Sequence, residues 1–265
     1  MKPLSDCPQA TLAAIRGVLT DIDETVSTEG HLTPEAYGAL AALKKAGLLV
    51  IPVTGRPAGW CDMIARFWPV DAVVGENGAF WMWRDAKAGK QRTRFIQSDA
   101  ERADGRRRLE AVRTDVLREV PRAGIASDQP YRLADLAIDF CEDVPPLPRA
   151  EVERIVAIFE RHGAQAKISS IHVNGWFGRY DKLTTSKTMM AELFGVDLER
   201  DAGLYVFSGD SPNDSPMFGF FPNGVGVANV RDFADAMPHL PRWITAARSG
   251  AGFAELAQAL IAARS

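Results

Sequence analysis

Over its first eighty residues the chain alternates short apolar runs with amphipathic stretches at helical spacing. "IRGVLT", ending at Thr20, is a strand candidate. "TPEAYGALAALKKAG" follows with helical periodicity, Thr33 at the N-cap, Pro34 at the first helical position and Gly47 at the stop. "LLVIPVT", ending at Thr54, is continuously apolar, the pattern of a strand buried on both faces. "AGWCDMIARFW" predicts a helix, and "DAVVGENGAF" a further strand and a turn. Such alternation predicts a parallel sheet with crossover helices.

The pattern changes near Trp83. Residues 84–108 are strongly polar. After them come a helix ("RRLEAVRTDVLREV"), a strand ("LADLAIDF"), a Pro-rich break ("VPPLP"), a helix ("AEVERIVAIFERHG") and a strand or strand pair ("AKISSIHVNGWF"). This order reads as an inserted α+β unit. From Asp181 the first pattern returns, with helix "SKTMMAELFGV", strand "GLYVFSGD", short helix "SPMFGFF", strand "GVGVAN" and last helix "AGFAELAQALIAARS". The expected fold is α/β: a doubly wound (Rossmann-like) parallel sheet core from residues 1–83 and 181–265, interrupted by an α+β cap over 84–180.

With 265 residues, 46% of them hydrophobic, the chain can bury a sizeable core. A formal net charge of -3 gives no general affinity for nucleic acid or an anionic membrane. The one tight basic run, Arg106-Arg107-Arg108, lies in a stretch rich in both charge signs and reads as a solvated helix face. Cys7, Cys61 and Cys141 have no metal-site spacing, and their odd number argues against a disulfide framework. The N-terminal stretch has no signal-type apolar region, and no run approaches membrane-spanning length. The expectation is a cytoplasmic protein.

Ligands of open parallel sheets bind beyond the carboxyl ends of the strands. The first strand ends at Asp21 and Asp23, the second at Thr54-Gly55-Arg56, and a later one at Asp210, followed by Ser211-Pro212-Asn213-Asp214. Each segment alone is ordinary turn chemistry. Together they bring four carboxylates and a hydroxyl to one sheet edge. Carboxylates so gathered repel one another, and a hard cation such as Mg²⁺ relieves this while bridging to phosphate. Asp21, Asp210 and Asp214 form the candidate metal cluster. Thr54 and the Gly55 N–H are candidate phosphate donors.

In "DIDET" (21–25), "VTGRP" (53–57), a Lys within 182–187 and "GDSPND" (209–214), the sequence resembles the haloacid dehalogenase superfamily of phosphohydrolases. The order of the four motifs matches, and an insert between the second and third resembles that family's C2 cap. "GENGA" (75–79) resembles the Cof-type branch, which includes sugar phosphatases. The resemblance implies Asp21 as the nucleophile and Asp23 as the general acid/base, whose backbone carbonyl also ligates the metal. It implies Thr54 as a phosphoryl donor, the Lys as a charge neutraliser, and Asp210 and Asp214 as metal ligands. Where transport ATPases of the superfamily carry Lys, this chain has Asp23, which favours rapid turnover by water or transfer to a sugar hydroxyl.

Two lysines compete for the third motif. A helix running to the Gly195-Val196 pair has about three turns if it starts after Lys182 and about two if it starts after Lys187. Lys182 is favoured, with Lys187 as the alternative. Arg56 reaches either the substrate's phosphate or a distal anionic group, or pairs with a surface carboxylate. Asn77 contacts substrate or shapes the turn at Gly78, and Asn213 orients Asp214 or the nucleophile. His172, Asn174 and Trp176 on the last cap strand face the cleft if the strand alternation points them inward. "GVGVAN" lacks the third Gly of a dinucleotide fingerprint. The expected function is a Mg²⁺-dependent phosphomonoester hydrolase acting on a small-molecule phosphate ester, a sugar phosphate foremost, with no nucleic-acid or membrane partner. A mutase of the same fold and a silent metabolite-binding protein are the alternatives.

Overall fold

The strand Gly17–Thr20 pairs in parallel with Leu49–Pro52 on one side and Tyr205–Gly209 on the other, and all four of its residues are buried. Val225–Gly226, Trp243–Ile244 and Lys2–Pro3 continue in parallel, completing a six-stranded sheet. Successive side chains leave a strand on opposite faces. Accordingly Val18 and Val50 pack with Leu40 and Leu43 of the helix Pro34–Lys45 and Leu256 and Leu260 of Ser249–Ala262. Leu19, Ile51 and Phe207 pack on the other face with Met189 and Met190 of Lys182–Phe194 and Met217 of Ser215–Phe220. The core is therefore a doubly wound parallel sheet. From Gly17–Thr20 the sheet runs to Leu49–Pro52 on one side and to Tyr205–Gly209 and Val225–Gly226 on the other, so the topological switch point falls beside its carboxyl end.

The computed structural model describes residues 1–169 and 171–264. Ser170 and Ser265, which the sequence reading puts in the cap strand region and the last helix, lie outside the described residues. Among the described residues no helix is long and apolar enough to cross a membrane.

Beyond Leu49–Pro52, Val53 bridges in parallel to Val74. Val73–Gly75 then opens an antiparallel arm with Phe80–Asp85 and Lys90–Phe95. Residues 83 and 84, where the sequence pattern changes, thus lie inside one strand. The sequence reading missed Lys90–Phe95 because none of its residues is fully buried, so no apolar face marks it. It missed Lys2–Pro3 and Trp243–Ile244 because two residues carry no periodicity.

Ser98 and Glu101 form a reciprocal capping box, which starts the helix Asp99–Glu119. This helix and Arg149–Arg161 bury Leu109, Val112, Val116, Ile155 and Phe159 against a four-stranded antiparallel sheet. The strands run in the order Gln165–Ile168, His172–Trp176, Asp135–Asp139, Gly124–Ile125, so "AKISSIHVNGWF" is a strand pair.

The helix Lys182–Phe194 begins at the Asp181 N-cap, which exchanges hydrogen bonds with Thr184, and stops at Gly195 with φ 65°. Its length matches a start at Lys182. The turn Glu76–Gly78 docks against its first turn. Thr185 Oγ1 donates to Gly78 O at 2.6 Å, and a Cβ on Gly78 would lie 2.3 Å from Asp181 O. Only glycine allows this approach, at φ +109°.

Candidate active site

The Gly17–Thr20 strand releases its chain at Asp21, whose N–H still donates to Ser208 O at 2.8 Å. The parallel neighbour Tyr205–Gly209 ends beside it and delivers Asp210. A turn then returns Asp214 to the same point, where its Oδ2 accepts from the Asp210 N–H at 3.1 Å. Gly209 leaves the room for this, since a Cβ there would lie 2.4 Å from Asp214 Oδ2. Asp21, Asp210 and Asp214 are all buried, and each offers a carboxylate oxygen within 4.8 Å of the others.

Lys182 enters from the helix it begins. Its Nζ donates to Asp21 Oδ1 at 2.7 Å and to Asp214 Oδ1 at 2.9 Å. Lys187, on the same helix, pairs instead with Glu199 at 2.6 Å and lies over the Phe220 ring. Of the two lysines, Lys182 alone reaches the carboxylates.

One ammonium does not neutralise three buried carboxylates. Burial pushes the Asp21 carboxyl up to about 7; Lys182 opposes this, and Asp214 and Asp23 add to it. Burial, then Asp214 and Asp21, push Asp210 well above the ordinary carboxylate range. Burial alone would lower the Lys182 ammonium, but Asp21 and Asp214 hold it above its ordinary value. Buried oxygens with surplus negative charge suit a hard divalent cation. Mg²⁺ therefore fits the donor set.

Asp23 takes a different position. Its carboxylate lies outside the three-carboxylate cluster and is held by Arg56, with Nε at 2.9 and 3.1 Å from its two oxygens and Nη2 at 2.9 Å. Arg56 is thus neither a surface residue nor a free anion receptor. Its Nη1 also lies 3.7 Å from Asp128 and 3.6 Å from Glu142, both contributed by the insert.

Thr54 is fully buried, and its hydroxyl accepts from the Arg56 N–H at 3.0 Å. Asn77 sits at φ 55°, and its N–H donates to Thr54 O at 3.1 Å. The Asn77 side chain packs where a Cβ on Gly55 would be, and its buried Nδ2 has no hydrogen-bond partner. This unpaired donor lies next to Thr54 and Gly55 and lines a cleft together with Lys182. Asn213 does not orient Asp214: it accepts from Ser211 Oγ at 2.8 Å, while Lys182 and the Asp210 N–H hold Asp214.

The sequence reading missed several supporting groups. Thr25 Oγ1 donates to Asp210 Oδ1 at 3.3 Å, tying the loop after the first strand to the carboxylate cluster. Asn229 donates to Glu24 O at 2.7 Å, and Ser249 to Glu24 Oε2 at 3.1 Å, pinning the loop that carries Asp21 and Asp23. Glu76, fully buried, accepts from the backbone N–H groups of Ala58, Leu133, Ala134 and Asp135. Three of these four donors belong to the insert, so a core carboxylate ties the two units together. Burial, then Asp135, push Glu76 up to about 8, against the pull of Arg132 and the backbone donors. Arg132 adds a bond from Nη1 to Gly55 O at 3.0 Å. Each of these contacts joins residues far apart in sequence, where no local spacing announces it.

The resulting cleft is lined from the core by Asp21, Asp23 and Arg56 and from the insert by Arg132, His172 and Asn174. Trp176 lines a second cleft beside it, with Asn77 and Lys182.

No protein-family model matches the chain, and no curated protein matches it in sequence. Solved structures do match. The C-terminal domain of trehalose-6-phosphate phosphatase from C. albicans is 11% identical at a TM-score of 0.71, over 99% of this chain and 98% of that one. Sucrose-phosphatase from Synechocystis sp., in complex with sucrose and phosphate, is 14% identical at 0.64, over 93% and 98%. A protein of Bacteroides thetaiotaomicron, analysed among phosphatases of the haloalkanoate (HAD) superfamily, is 19% identical at 0.61, over 97% of both chains. At these identities the likeness is one of fold, and the chain has the fold of HAD-superfamily phosphatases.

Proposed function

We propose that this protein is a Mg²⁺-dependent phosphomonoester hydrolase acting on a small phosphorylated metabolite, a sugar phosphate foremost, through an aspartyl-phosphate. The observation that carries the reading is the buried set Asp21, Asp210, Asp214 and Lys182 at the switch point of the sheet. Asp21, Asp210, Asp214 and the backbone carbonyl of Asp23 would hold the cation, which would neutralise phosphoryl and carboxylate charge.

Asp21 attacks phosphorus, and the bond to the leaving oxygen breaks. Asp23 gives that oxygen its proton, then takes one from the attacking water as the Asp21–phosphorus bond breaks. For this, one Asp23 oxygen turns from Arg56 to the leaving oxygen. Lys182 offsets charge on Asp21 and the phosphoryl oxygens. Thr54, the Gly55 N–H and Asn77 Nδ2 donate to those oxygens. Catalysis is assigned to segments 1–83 and 181–265, and substrate choice to the insert, 84–180, whose residues wall the cleft. The trehalose-6-phosphate and sucrose phosphatases of the same fold support a sugar phosphate.

The test is phosphate release from an aryl phosphate by the purified protein with Mg²⁺, abolished in Asp21→Asn. A wild type inert across a broad phosphoester panel overturns the reading.

A further inference from the structure

An in-line displacement puts the leaving group opposite the attacking carboxylate and within reach of the general acid. If the proposed reaction holds, the cleft that Asp23 lines is therefore the leaving-group cleft. The neighbouring cleft, with Asn77, Lys182 and Trp176, does not include Asp23.

The leaving-group cleft carries two guanidinium groups, Arg56 from the core and Arg132 from the insert, and both are already engaged. Arg132 gives Nε and Nη2 to Asp128 at 2.9 and 3.1 Å. Its Nη1 goes to Asp135 at 3.0 Å and to Gly55 O at 3.0 Å. Arg56 gives one edge to Asp23, and its Nη1 faces Asp128 and Glu142. Glu142 bridges onward, with Oε2 2.8 Å from His172 Nε2. Burial and Arg132 lower the His172 pKa despite Glu142 and Asp128, so the imidazole adds no cation to the wall at neutral pH. Asn174 gives its amide to Asp135 at 3.2 Å.

We propose that this compensated wall selects phosphate esters with a neutral, hydroxyl-bearing leaving group and rejects those carrying a second anion, with Glu142 as the residue that sets this preference. Besides Asp23, two arginines face three carboxylates, Asp128, Asp135 and Glu142, so an incoming carboxylate finds no unpaired cation among the described residues that line the cleft. It must instead sit beside Glu142 or displace it from Arg56, and like charges so placed are disfavoured. A hydroxyl can donate to Glu142 without disturbing either arginine. Glu142 is exposed and reaches the cleft through Arg56 and His172, which line it, so replacing it removes the charge without opening a core cavity.

The experiment compares glycerol phosphate with phosphoglycerate, esters of similar size that differ in a hydroxymethyl against a carboxylate. The Mg²⁺-loaded wild type is expected to favour glycerol phosphate in kcat/KM by about tenfold or more. Glu142→Gln should shrink that ratio severalfold, chiefly through a lower KM for phosphoglycerate, while Glu142→Asp keeps it. A merely structural role would change both esters together and leave the ratio fixed. Each ester is also tested as a competitive inhibitor of aryl phosphate hydrolysis by wild type, so the preference is read even if neither turns over or a variant fails to fold. Equal or better handling of phosphoglycerate by wild type, or an unchanged ratio in Glu142→Gln, overturns the inference while the phosphatase reading stands. Absence of aryl phosphate hydrolysis overturns both.

Discussion

Glu76 offers the sharpest perturbation of the link between core and insert. Its Oε2 accepts from Leu133, Ala134 and Asp135 at 3.1, 2.6 and 3.2 Å. Its Oε1 accepts from Ala58 at 3.0 Å and Leu133 at 2.9 Å. Glu76→Ala leaves four backbone donors without their partner in a buried place. Each orphaned donor costs about 1–3 kcal/mol, less where water can reach it. Water entering beside the exposed Leu133 relieves part of this, so a total of about 3–5 kcal/mol is expected for the four donors together. For a chain of this size that lowers Tm by roughly 6–20 °C. Calorimetry reads the global effect. Amide exchange at 133–135 reads the local one, and about 3 kcal/mol corresponds to roughly a hundredfold faster opening.

The pH arm has a defined sign. The Glu76 carboxyl is raised from 4.5 to about 8 in the folded chain, so the native state holds a proton that the unfolded chain has lost. Its contribution is fully present below 4.5 and is lost as pH rises through about 8. Glu76→Gln, which cannot titrate, should therefore gain on wild type as pH is raised toward 8.5–9. An unchanged Tm and unchanged exchange in Glu76→Ala would refute the coupling argument. A wild-type-to-Gln difference that is flat with pH would refute the protonation argument alone.

Lys182→Met strands Asp21 and Asp214 and should cost about 3–5 kcal/mol of stability and two to three orders of magnitude in kcat. Lys187→Met, which removes a surface pair with Glu199, should cost about 1 kcal/mol or less with near-normal turnover; denaturation and steady-state kinetics on the two variants check both. Asp210→Asn removes a charge that burial and two neighbouring carboxylates disfavour, so the Mg²⁺-free protein should melt higher. The same variant should lose the Mg²⁺-induced rise in Tm, which for wild type is worth about 2.7 kcal/mol at a hundredfold excess over Kd. His172 has a folded pKa below its ordinary 6.5, so its contribution is present above that value and lost as pH falls through 6.5 toward the lowered value. Urea titrations from pH 7.5 to 5 should show a shallower loss in His172→Gln.

The carboxylate-bearing edge was legible because each polar segment directly follows an apolar strand. Asp21, Thr54 and Asp210 all close continuous buried runs, and a parallel sheet brings such ends together. Lys182 was legible through helix length, since the stop at Gly195 fixes the start. Arg56 was legible as important but not in its partner, because Asp23 lies 33 residues away. Glu76 and Arg132 were not legible at all: a Glu before Asn-Gly looks like turn chemistry, and an Arg among charged residues looks solvated. Their roles arise from contacts between core and insert, 57–59 residues apart for Glu76 and 77 for Arg132. The arm strand Lys90–Phe95 was hidden for the opposite reason, having no buried face to give it a period.

The central claim is that Asp21 carries the phosphoryl group. Quenching a turning-over sample and reducing it with borohydride converts an aspartyl-phosphate to homoserine, which peptide mass spectrometry locates. The account predicts homoserine at residue 21, dependent on Mg²⁺ and substrate and accumulating in Asp23→Asn. Turnover with no modification of Asp21, or with the modification at Asp23, would contradict it.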